Sequence, residues 1–170
     1  FKLNSFIFMP VFGLNNGIVP IIAYNYGAGR RDRISATIKN ALSLATGIML
    51  FGMAIFELFP AQLLGLFDAS SAMLAIGVPA IRIIAVSFIG AALGITFSSV
   101  FQAFGSATYS MIATFIRQLV VLLPAAYLLS LSGNVNMIWW AYLIAEVASV
   151  LACIWFMRRI YSIKMRTQAE

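Results

Sequence analysis

The sequence has no histidine, one cysteine (Cys153), and only 11 basic and 5 acidic residues among 170. Without histidine there is no imidazole to ligate a metal or activate a nucleophile, and one cysteine cannot close an internal disulfide. Five acids leave little for paired-carboxylate chemistry, so an intramembrane hydrolase has few of the groups it needs at one depth. No Lys-Ser/Thr follows Gly27-Ala28-Gly29 and no strand pattern precedes it, which excludes a phosphate-cradling loop. The 9% charged fraction lies far below the roughly 25% of soluble domains.

What the chain has instead is apolar surface: 62% of residues are hydrophobic and the mean hydropathy is +0.98. A soluble core cannot hide that fraction, so the expected class is all-α, a polytopic membrane helix bundle with the lipid bilayer as its solvent. The net charge of +6 does not form a face interleaved with aromatics, as nucleic-acid binding requires. It collects at segment ends, at Arg30, Arg31 and Arg33 and again at Arg158, Arg159, Lys164 and Arg166, as cytoplasmic flanks do. The opening Phe1-Lys2-Leu3-Asn4 has no initiator Met, basic n-region or cleavage site. It reads as the start of a fragment whose N-terminal part is missing.

A bilayer core of about 30 Å needs about 20 helical residues, and the pattern predicts five such segments in one membrane domain, residues 1–170. Segment one runs from Ser5 to Tyr26 and segment two from Ile38 to Phe59, stopping at Pro60. Residues 62–78, with Asp68, Ser70 and Ser71, read as a loop carrying an amphipathic interfacial piece. Segment three is Ile83 to Phe104. Segment four is Tyr109 to Leu131, broken by Pro124, and segment five is Met137 to Met157, with Trp139, Trp140 and Trp155 at its ends. Four spans separate the two basic clusters, which places the loop 27–36 and the C-terminus together on the cytoplasmic side. Gly13/Gly17 and Gly90/Gly94 have the spacing that permits close helix approach.

Polar groups inside apolar spans are costly and mark a cavity or a partner. Glu146 lies about 13 Å into segment five at 1.5 Å per residue; it is the ion-coupling candidate, the alternative being a static acid that ties helices together. Arg117, followed by Gln118, lies about 12 Å from the cytoplasmic start of segment four. Segments four and five run antiparallel, so Arg117 reaches nearly the depth of Glu146 and is its expected charge partner. Asn15, Asn16, Tyr24 and Asn25 on segment one, with Ser98 and Gln102 on segment three, are the substrate- or cavity-lining candidates; Ser98 and Gln102 are one helical turn apart. The alternative for all six is hydrogen bonding between helices. Pro20 and Pro124 are the candidate hinges.

Several runs together resemble a known family. They are Phe6-Ile7-Phe8-Met9-Pro10-Val11-Phe12-Gly13-Leu14, Gly17-Ile18-Val19-Pro20, and Tyr24-Asn25-Tyr26-Gly27-Ala28-Gly29. Leu66-Phe67-Asp68, Phe101-Gln102-Ala103-Phe104-Gly105, Arg117-Gln118, Trp140-Ala141 and Ile144-Ala145-Glu146 follow in order. The series is similar to the eighth to twelfth helices of the multidrug and toxic compound extrusion (MATE) family. The resemblance implies five helices of a six-helix C-terminal lobe, with the N-terminal lobe of the same protein as its missing partner. It implies efflux of small amphipathic or cationic compounds in exchange for H⁺ or Na⁺, hence antibiotic resistance, across a prokaryotic inner membrane. No other cofactor and no enzymatic activity are implied. Segment three has no acid to stand for the one some members carry in the tenth helix, which leaves Glu146 as the deep acid. The alternatives are a lipid-linked oligosaccharide flippase of the same broad superfamily and a non-transporting membrane subunit.

Overall fold

The computed structural model describes residues 2–67 and 70–167; Asp68, placed by the sequence in the loop over 62–78, lies outside them. Helix α1 spans Lys2–Gly27 and runs unbroken through Pro10 and Pro20. The candidate hinge Pro20 therefore lies inside a continuous helix. Gly29 ends α1 at φ +69. There the Arg30 amide donates to the Asn25 carbonyl and the Gly29 amide to that of Tyr26, at 2.9 and 3.2 Å. This left-handed closure favours glycine because a Cβ would strike the carbonyl. Gly105 closes α5 the same way, Ser106 to Phe101 and Gly105 to Gln102, both at 2.9 Å.

Helix α2 spans Arg31–Leu58. The basic stretch expected as a loop over 27–36 is thus a connection of only residues 28–30, with Arg31 and Arg33 already in the first turn. Two glycines and one strong turn geometry suffice for the reversal, and nothing in Asp32-Arg33-Ile34-Ser35 stops a helix. Pro60 starts a short helix, α3 (Pro60–Gly65), since proline at the first helical position lacks only a donor that has no partner there anyway.

The predicted loop over 62–78 is largely helical instead. Helix α4 spans Ser71–Val86, with Ser70 as its cap: the Ser70 side chain accepts from the Met73 amide. Serines that look like turn residues in sequence are here starting a helix. Helix α5 spans Phe88–Ala103 and meets α4 at a 47° bend. The bend sits at Ser87, whose hydroxyl and amide both donate to the Ile84 carbonyl at 2.6 and 3.0 Å. That double claim on one carbonyl pulls the ladder out of α register. The helical stretch that holds segment three therefore begins well before Ile83, as a bent pair of helices.

Helix α6 (Ala107–Phe115) passes into a π-helical stretch, Ile116–Leu122, and then α7 (Leu123–Ser130), with Pro124 in the first turn of α7. A one-turn helix, α8 (Val135–Ile138), precedes α9 (Trp140–Thr167). Arg158 and Arg159 thus lie within α9 rather than after it. Arg159 stands 5.7 Å over the Trp155 ring, a cation–π contact that anchors this end. Among the described residues, four helices are long and apolar enough to cross a membrane, and the bent α4–α5 pair makes up to five. The chain is a multi-pass membrane protein.

Two apolar clusters hold the bundle. One gathers Ile22, Ile34, Phe101, Phe104, Phe156 and Ile160; the other gathers Val11, Met49, Phe56, Ala85 and Phe88, with the rings of Phe8 and Phe56 edge-on to Phe88 at 5.4 and 5.3 Å. Because lipid is as apolar as the side chains, such packing and interhelical hydrogen bonds hold spans together. The Ser35 and Tyr161 hydroxyls meet at 2.7 Å, so the start of α2 and the far part of α9 share one end of the bundle. Both basic clusters are therefore at the same end, as an even number of crossings requires.

Candidate functional site

A half-enclosed cavity of about 420 Å³ opens between α1, α5, α6, the π stretch and α9. Asn15 and Asn16 reach it from α1, and Ser98 and Gln102 from α5, so four of the six polar residues singled out in the sequence share one hollow. Phe8 and Phe12 supply an aromatic wall. A volume of this size with an apolar wall and a few convergent polar groups is typical of small-molecule sites.

Tyr24 and Asn25 are not in it. Tyr24 is 76% exposed on the outer surface of α1; it follows Asn15 by about two and a half helical turns and so points the opposite way. Asn25 is buried, and its side-chain amide donates to the Ile21 carbonyl one turn back, at 2.8 Å, which absorbs its polarity within its own helix. Asn15 makes the same type of bond, to Val11 at 2.8 Å. Yet it is 2% exposed and its Oδ1 has no partner among the described residues.

Arg117 and Glu146 meet, with Arg117 Nη1 donating to Glu146 Oε1 at 2.6 Å. Arg117 belongs to the π stretch and lines the cavity. Glu146, 8% exposed on α9, sits behind the wall, and its Oε2 has no partner among the described residues. Gln118, next to Arg117, takes no part in the ion pair and faces an adjoining apolar groove with Met111, Phe115 and Leu119, which shares Gln102, Ser110 and Thr114 with the cavity.

Helix α9 comes this close because of Gly90 and Gly94. A Cβ on Gly90 would stand 2.9 Å from Glu146 Cβ, and one on Gly94 would stand 3.6 Å from Ser149 Oγ and 4.0 Å from Glu146 Oε2. Gly90 is thus a notch into which the stem of Glu146 fits. Gly13 and Gly17, of equal spacing, meet no atom within 4 Å among the described residues, so that pair packs no neighbour here.

Sequence reasoning missed Ser110, Thr114 and Ser149, which also line the cavity. Their signal was present: Ser110, Thr114 and Arg117 follow at i, i+4 and i+7, and Ser149 is three residues past Glu146, so each shares a face with a residue already suspected. Gln102 Nε2 lies 3.4 Å from Ser110 Oγ, joining α5 and α6 at one edge of the hollow. No group of three or more His, Cys, Asp or Glu that could hold a metal occurs among the described residues.

A family model described as MatE matches residues 1–128. Multidrug export protein MepA of Staphylococcus saprophyticus is 28% identical over 156 residues, covering 89% of this chain and 33% of that protein. The MepA of Staphylococcus haemolyticus is 24% identical over 170 residues, covering all of this chain and 36% of its own length. Among solved structures, the MATE multidrug transporter DinF-BH, solved as a complex, aligns with a TM-score of 0.84 at 28% identity, over 93% of this chain and 35% of that one. An outward-facing multidrug resistance MATE family transporter of the MOP superfamily aligns with a TM-score of 0.87 at 22% identity, over 96% and 37%, a likeness of fold. The chain spans about a third of the length of the curated relatives it matches. It belongs to the MatE family.

Proposed function

We propose that this chain forms a membrane lobe of a multidrug exporter, one that moves small amphipathic compounds, cationic ones included, outward in exchange for H⁺ or Na⁺. The carrying observation is the half-enclosed cavity of about 420 Å³ between membrane helices, lined by Asn15, Asn16, Ser98 and Gln102, with an ion pair at its wall. Polar atoms at that depth are tolerated where they face water or cargo. In this reading the lobe rocks against a second lobe of the same protein around a shared cavity. The inner membrane is its site, with the end carrying Arg30–Arg33 in the cytoplasm.

Glu146 is the ion-coupling candidate. It is buried, has one oxygen on Arg117 and one without a partner among the described residues, so a bound proton or cation would compete with the guanidinium for the carboxylate. Relatives named as multidrug export proteins support the export reading.

The test is dye efflux from an efflux-deficient host carrying the gene that encodes this chain in full, with the H⁺ and Na⁺ gradients collapsed separately. Gradient-dependent efflux that is lost in Glu146→Gln is the expected result. Wild-type coupling in that variant would remove Glu146 from the ion path, and no efflux under any gradient would remove the exporter reading.

A further inference from the structure

We propose that the span from α6 to α7 is a sliding element: when Glu146 loses its charge, the extra residue of the π stretch moves one turn toward α6, and Gln118 replaces Arg117 opposite Glu146. The inference rests on Glu146 as the ion-coupling group of the reading above, and supplies the motion that its neutralisation releases.

The extra residue shows in the inward face of the span. Residues half-buried against the described helices come in pairs: Ile116 with Arg117, Val121 with Leu122, and Ala125 with Ala126. The first two pairs are five residues apart and the next two are four. An α-helix continued from the first pair would turn Val120, Pro124 and Tyr127 inward, and all three are exposed. An α-helix continued back from α7 instead puts Gln118 where Arg117 stands, and Arg117 where Ile116 stands. The two neighbours are thus alternatives for one position. Which of them holds it depends on the side of the pair that carries the extra residue.

Two stops hold that residue in place. On the α7 side is Pro124. In α register its ring would strike the Val120 carbonyl and leave it without a donor, and a π turn relieves such groups. On the α6 side is the 2.6 Å bond from Arg117 to Glu146. Beyond it α6 is anchored: Tyr109 packs edge-on to Phe156 at 5.2 Å, and Gln102 reaches Ser110 at 3.4 Å. A slide therefore turns only the residues between Ala113 and Val121.

The exchange suits the chemistry of the acid. A guanidinium only donates; it fits an ionised carboxylate and has nothing to receive the proton of a neutral one. The Gln118 side chain both donates and accepts, so it can pair with a protonated carboxyl. It faces the adjoining groove with no hydrogen bond to a described residue, and so gives up none when it turns.

The experiment is a double-variant cycle on the whole protein, with Glu146→Gln standing in for the neutral acid. Gln118→Leu alone should leave the thermal midpoint in detergent within about a degree. In the Glu146→Gln background the same change should lower it by several degrees, because Gln118 has become the partner. Transport is the second readout: Gln118→Leu should slow dye efflux severalfold at unchanged dye affinity, since the slid register has lost its bond. Equal midpoint shifts in the two backgrounds, or efflux at the wild-type rate in Gln118→Leu, overturns the sliding element and leaves the exporter reading standing. Wild-type gradient coupling in Glu146→Gln removes the ion-coupling role of Glu146, and this proposal with it.

Discussion

Arg117–Glu146 and Arg82–Glu57 are the ion pairs among the described residues, and they occupy opposite settings. The first closes at 2.6 Å between side chains 32% and 11% exposed; the second spans 3.8 Å between side chains 53% and 34% exposed. Coulomb attraction at the rim is weakened by water and ions, while the inner pair works in a medium where each charge needs the other. The difference teaches where electrostatics can organise this fold. The rim pair joins α2 to α4 near the surface, and the inner pair ties the π stretch to α9.

The sharpest way to break that contrast is Arg117→Met, which leaves Glu146 buried without its partner. A loss of about 3–5 kcal/mol is expected, read as a large drop in the thermal midpoint in detergent. Arg117→Met/Glu146→Leu should recover most of it, because an apolar pair strands no charge. A single variant as stable as wild type would place the inner pair in the same class as the rim pair.

Next in size is the notch. Gly90→Ala puts a methyl 2.9 Å from Glu146 Cβ, an atom tied directly to the α9 backbone, and overpacking of this kind costs about 1–3 kcal/mol. Gly94→Ala meets ordinary contact distances and should leave the midpoint within about a degree, since nothing must move. Equal effects at the two glycines would show that α9 can shift as a body. Smallest of all is Glu57→Gln, expected to cost less than about 1 kcal/mol, with addition of salt mimicking it in wild type.

Much of this was legible in the residues. Depth counting from helix ends brought Arg117 and Glu146 to one level because antiparallel spans share a 1.5 Å rise. The basic clusters fixed the parity of crossings. Asn15, Asn16, Ser98 and Gln102 were found because isolated polar groups stand out in apolar runs. Tyr24 and Asn25 were grouped with them by type, although helical phase turns Tyr24 away and a bond to Ile21 satisfies Asn25. Helix α4 was hidden because Ser70, Ser71 and Pro79 are turn-formers by composition, and only the backbone geometry reveals Ser70 as a cap. The 47° bend depends on Ser87 taking one carbonyl twice, which no periodicity records.

The π stretch at Ile116–Leu122 has a consequence for the span that contains it. A π turn is an α-helix carrying one surplus residue, so the halves before and after it are out of phase by about 100°. Arg117 is oriented by the half joined to α6, while Tyr127 and Leu128 on α7 are oriented by the other. Excision of one residue between Val120 and Leu122 would spin the distal half against its neighbours without displacing the guanidinium. Insertions and deletions at this point thus let evolution re-aim one end of the rod while sparing the other.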